Sequence, residues 1–176
     1  MTYIALLRGI NVGGHRKIAM ADLRALFADL GYGVVRTYVQ SGNVVFEADA
    51  GADHGAAIRT AVAERFGHEV PTVVLTAAAF ARAAAADPFA GRTDVDASRR
   101  FITFLHPRPD LTVLPEDLPI GSDESAALVD GHVYLCLPSG AADTKLNIGW
   151  FERRLGVTAT SRNMKTVKAL CDLAGA

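Results

Sequence analysis

This chain of 176 residues is short of cysteine, with two, and of tryptophan, with one, and it carries almost no net charge, −1 at neutral pH. Each shortage removes a class of protein. Cys136 and Cys171 lie in no C-x-x-C motif, so no disulfide is expected, and buried thiols in a reducing compartment fit instead. No apolar run approaches the ~20 residues that span a bilayer, and no basic segment with a cleavage site precedes the first apolar stretch. A cytoplasmic location without a membrane partner is therefore expected. Near-neutral charge argues against a dedicated polyanion binder, so a nucleic-acid partner has no support from net charge. His15, His54, His68, His106 and His132 share no ligand spacing, and no metal site is expected.

Two nucleotide-binding signatures are missing as well. The glycine-rich stretch Arg8-Gly-Ile-Asn-Val-Gly-Gly14 is followed by His15, and Lys17 precedes Ile18, so it is not a Walker loop; the Rossmann G-x-G-x-x-G is absent too. Ser41 stands outside any G-x-S-x-G, and no histidine pairs with it by sequence. Glu47, Asp49 and Asp53 read as solvated loop charges before they read as an acid or base.

What remains is half hydrophobic and 21% charged, an ordinary balance for one substantial domain or two small ones sharing a core. Charge is unevenly spread: residues 1–75 balance at zero, 76–143 carry −5 and 144–176 carry +4.

Residues 3–7 form a buried strand, and Met20, Leu23, Leu26, Phe27 and Leu30 recur at helical spacing until Gly31. Residues 34–40 and 43–47 read as a hairpin around the two-residue turn Ser41-Gly42. Ile58, Val62 and Phe66 mark a second helix, and residues 71–75 a short final strand. The order βαββαβ is the split βαβ, or ferredoxin-like, arrangement. Its right-handed crossover brings Arg8 to Asn11 to the same sheet edge as Gln40, Ser41 and Asn43.

The rest repeats the plan in reduced form. An alanine-rich helix ends before Asp87-Pro88; a strand covers 100–105, a short helical turn falls within 111–118, and a second hairpin of the same kind closes on Asp130-Gly131. A helix over 144–155 has Thr144 as N-cap, residues 157–160 form a last short strand, and a C-terminal helix starts from Thr160 or Ser161. The expected fold is α+β: two ferredoxin-like portions packed together, 1–75 and 76–176, the second truncated or modified and ending in a helix, as one continuous globular unit.

Polar residues at element ends supply the candidate site. A strand running into glycines before a helix can turn backbone N–H groups toward an anion, and the candidate ligand-binding set is Arg8, Asn11, Gly13, Gly14 and Lys17 with Gln40, Ser41 and Asn43. Lys145, Asn147, Arg162, Asn163 and Lys165 from the basic tail complete it. An anionic small molecule bearing phosphate or carboxylate is the expected ligand. The alternatives are an RNA- or nucleotide-binding module, for which the candidate strands offer mainly Tyr3, Phe46, Phe101 and Phe104, and an enzyme, for which no acid, base or cofactor is identified.

These motifs together resemble the uncharacterised bacterial family catalogued as domain of unknown function 1697. The likeness runs through RGINVGG with Lys17, TYVQSGNVVF, DPF at 87–89, TKLNIGWFERRLGV at 144–157 and TSRNMKTVKAL at 160–170. It implies two ferredoxin-like portions and no established activity, substrate or cofactor. Met164 departs from the pattern, since members often carry Trp there.

Overall fold

The computed structural model describes all residues 1–176. They divide into two compact units, Met1–Phe80 with Ala169–Ala176, and Ala81–Lys168.

In the first unit β1 (Thr2–Leu7), α1 (Met20–Asp29), β2 (Gly33–Tyr38), β3 (Asn43–Glu47), α2 (His54–Phe66) and β4 (Thr72–Thr76) follow the βαββαβ order. The sheet runs β2-β3-β1-β4 with every neighbour antiparallel, so β1 and β2 are parallel with β3 between them. Strand alternation explains which side is which. Tyr3, Ala5 and Leu7 join Val44 and Phe46 under Leu23, Leu26 and Phe27 of α1 and Ile58 and Val62 of α2. Tyr3, Phe27, Tyr32, Phe46 and His54 form one ring cluster there, and His54 bridges the Tyr32 hydroxyl (3.0 Å) and the Asp49 carbonyl (2.9 Å). The opposite face, with Ile4, Leu6, Val45 and Val73, is buried too.

The β2–β3 connection is longer than the two-residue turn expected from Ser41-Gly42. Tyr38 pairs with Asn43, leaving Val39 to Gly42 as a four-residue loop. Its cause is local: Val39 and Gly42 both take positive φ, and the Asn43 amide donates back to the Tyr38 carbonyl and the Ser41 hydroxyl, each at 3.1 Å.

The second unit holds β5 (Arg100–His106), β6 (Ser125–Val129), β7 (His132–Cys136), α4 (Ile148–Leu155) and β8 (Thr158–Asn163). Their sheet order, β6-β7-β5-β8, repeats that of the first unit, again antiparallel throughout. One element of the plan is missing. Where a crossover helix would join β5 to β6, residues 107–124 are irregular, and no helical turn forms at 111–118; four of the seven prolines fall between 107 and 119. Leu114 and Leu118 alone from that segment pack against the cluster of Leu105, Val133, Leu135, Phe151 and Ala159 under α4.

Two helices bracket this unit: α3 (Ala77–Ala85) and α5 (Met164–Ala174). The second hairpin is not of the first one's kind. Val129 pairs with His132 across Asp130 and Gly131, both at positive φ, a two-residue turn. Three boundaries also move. Asn147, not Thr144, caps α4; the last strand extends to Asn163; and α5 is capped by Asn163, not by Thr160 or Ser161, which lie within β8. The DPF stretch is tied to the sheet by a buried ion pair from Arg100 to Asp87 at 2.7 Å, with a further bond to the Phe89 carbonyl.

Candidate functional site

Between β1 and α1 the chain does not run from glycines straight into a helix. Asn11 N–H donates to the Arg16 carbonyl (3.2 Å) and His15 N–H to that of Val12 (3.1 Å). Gly13 and Gly14 occupy the tip with φ of 59° and 79°, backbone that side chains other than glycine resist. The stretch is a miniature hairpin, and α1 begins six residues beyond Gly14.

Asn11 fastens this finger down. Its side-chain oxygen accepts from Ile18 N–H at 2.8 Å, and its amide nitrogen donates to the carbonyls of Ile18 (2.8 Å) and Gln40 (2.9 Å). Leu7 N–H donates to Gly42 at 2.7 Å, and Arg8 N–H to Pro71 at 2.9 Å. The loops 8–19 and 39–42 thus meet at one sheet edge, as the crossover topology requires. Both donors of the Asn11 amide are spent inside this junction, and the Asn43 amide is spent in the 39–42 loop. These two residues shape the surface.

A cavity of about 560 Å³ opens beside the junction, lined by Asn11, Gly14, Lys17, Ile18, Ala19, Met20 and Gln40. Arg8, Gly13, Ser41 and Asn43 are not in its wall. Three of its residues, Ile18 to Met20, are ones that motif reading passed over, and they bring the start of α1 to the cavity. Four of the five helices have a side-chain acceptor for a first-turn amide: Asp53 for α2, Thr76 for α3, Asn147 for α4 and Asn163 for α5. Helix α1 has none, because its N-cap is Ala19. The signal was legible, since no Ser, Thr, Asp or Asn stands between Lys17 and Met20. Asp22 in the first turn offsets part of the helix dipole.

The candidates of the basic tail lie in the second unit. Lys145 and Lys165 are exposed, while the side chains of Asn147 and Asn163 serve as helix caps. Arg162 sits on β8, where its guanidinium donates to the Thr160 hydroxyl (2.9 Å) and the Ser161 carbonyl (2.8 Å); burial lowers its pKa to about 10. No group of three or more His, Cys, Asp or Glu side chains is gathered so as to hold a metal ion, and no helix is long and apolar enough to cross a membrane. Of the six strand aromatics, Tyr3, Phe46, Phe104 and Tyr134 are core residues, Tyr38 is half-buried and Phe101, also half-buried, lines a cavity. None forms the exposed stacking platform on which ferredoxin-like RNA binders rely.

A family model described as protein of unknown function (DUF1697) matches residues 1–134. No curated protein matches significantly. Among solved structures, the chain is similar to that of SP0830, a conserved bacterial protein from Streptococcus pneumoniae, with a TM-score of 0.70 and 23% identity over 98% of each chain. That likeness is one of fold.

Proposed function

The chain belongs to the DUF1697 family of proteins of unknown function, and on that footing we propose that its first unit binds a small anionic molecule, phosphate- or carboxylate-bearing, at the mouth of α1. The observation that carries this reading is the uncapped helix start facing a cavity that also holds Lys17. Amides of a first turn without a side-chain acceptor take water or a ligand oxygen, and the helix dipole favours a negative one. Lys17 adds a full charge, while Gln40 and the Gly14 backbone offer directed hydrogen bonds. Asn11 holds the finger against the 39–42 loop so that these groups stay in place without its contacting the ligand.

Supplying the missing cap tests the reading. Ala19→Asp places an acceptor where the anion would sit, and a good cap contributes about 1 kcal/mol. In titration calorimetry with inorganic pyrophosphate at low salt, the wild-type protein should bind, Lys17→Ala should bind at least about fivefold more weakly, and Ala19→Asp should not bind while melting at a higher temperature. Equal pyrophosphate affinity in Ala19→Asp and wild type would sink the proposal.

A further inference from the structure

The missing crossover helix of the second unit has left a space. In the first unit two helices, α1 and α2, cover one sheet face, whereas the corresponding face of the second sheet has α4 and the irregular 107–124 segment, whose Leu114 and Leu118 reach only part of it. A cavity of about 360 Å³, open on one side, lies against the remainder, bounded by strands β5, β7 and β8 and by the 141–149 stretch that leads into α4.

Its wall has a definite chemistry. Phe101, Leu135, Leu137, Leu146 and Ile148 make it chiefly apolar, and no ionisable side chain lines it. At the floor, Thr103 and Ser161 face each other across the β5–β8 pair, and their hydroxyls are 3.2 Å apart. With Thr103 donating to Ser161, the Ser161 proton has no protein acceptor. At the rim the Asn147 oxygen is occupied as a helix cap for Trp150 N–H at 3.1 Å, which leaves its amide N–H groups to donate. The Thr144 hydroxyl already accepts from Leu146 N–H.

We infer that this cavity is a binding site for a small neutral molecule, largely apolar and about two rings in size, that presents hydrogen-bond acceptors to Ser161 at the floor and Asn147 at the rim. Size follows from volume: a cavity of roughly 150 Å³ admits a single benzene ring, and ligand sites generally begin near 300 Å³. Neutrality follows from the wall, which holds no counter-charge to offset the hydration that a charged group would lose on entering it. Acceptor character follows from the unused groups, since both are donors.

Coumarin, neutral and bicyclic with a carbonyl acceptor, is a suitable probe, with naphthalene as the ring pair lacking an acceptor and coumarin-3-carboxylate as the charged analogue. Saturation-transfer NMR on the full chain should show saturable coumarin binding, weaker naphthalene binding and none for the carboxylate. Ser161→Ala should weaken coumarin about fivefold, the size of one net hydrogen bond, and leave naphthalene unchanged. Ser161→Leu fills the cavity from the floor and Ala141→Trp plugs it from the mouth; whichever retains the wild-type circular dichroism spectrum should bind neither neutral probe. Carboxylate binding as tight as coumarin binding, equal coumarin affinity in Ser161→Ala, or no binding of any probe at millimolar concentration would each overturn the assignment.

Discussion

His132 is a residue whose surroundings change its chemistry. It is 2% exposed, lies edge-on to Phe104 at 5.2 Å, and its Nδ1 has no partner. Burial first, and then the neighbouring Arg108 guanidinium, lower its pKa from 6.5 to about 4. The folded protein therefore keeps the imidazole neutral over a range in which the unfolded chain takes up a proton, so stability falls as pH drops from 6.5 toward 4. For this group alone the loss between pH 7 and pH 5 is about 2 kcal/mol. Urea midpoints of wild type and His132→Phe at both pH values check it, with the variant expected to lose that much less on acidification. Asn11 presents the opposite case, a polar side chain fully used. Asn11→Ala removes three hydrogen bonds and an αL-tolerant residue at φ 56°, and a destabilisation of about 2–3 kcal/mol in chemical denaturation is expected.

Among the elements, the β2–β3 connection is the tightest junction. A Cβ on Gly42 would lie 2.6 Å from the Leu7 carbonyl oxygen and 3.1 Å from an Ile10 side-chain carbon, at a φ of +80°. Gly42→Ala should cost more than about 2 kcal/mol, and it should also blunt pyrophosphate binding, because the 39–42 loop carries Gln40. A melting temperature equal to wild type would show that the loop yields where the packing says it cannot. Sequence periodicity reached α1, because Leu23, Leu26 and Phe27 all face one core, and it reached the Asp130-Gly131 turn, because two consecutive residues at positive φ have few sequence solutions. It missed the four-residue loop because Ser41-Gly42 reads as a turn until the Asn43 side chain is seen closing a wider one through its bonds to Tyr38 and Ser41. It assigned the start of α4 to Thr144 because Thr144 and Asn147 are both good caps. Only geometry shows Asn147 accepting from Trp150. In the candidate site the Arg8–Asn11 and Gln40–Asn43 neighbourhood followed from topology alone. The cavity wall did not, since Ile18, Ala19 and Met20 carry no motif and matter through the absence of a capping side chain.

For the whole molecule, the division of the chain sets the last prediction. Ala169–Ala176 belongs with Met1–Phe80, and Arg36 of β2 donates to the Leu173 carbonyl at 3.0 Å, near the end of α5. Deleting residues 169–176 should raise amide hydrogen exchange in the β2–β3 hairpin much more than in the β6–β7 hairpin; equal effects on both would show that the segment does not serve the first unit. The same division bears on biosynthesis. A ribosome emits residues 1–80 early, but the eight residues that complete their unit come only after all of 81–168 has been made, some seconds later at ordinary elongation rates. The first unit therefore waits, nearly complete, while the second is threaded out between its parts, and the nascent chain passes through a stage in which the β2 edge and the Arg36 guanidinium have no C-terminal helix to meet.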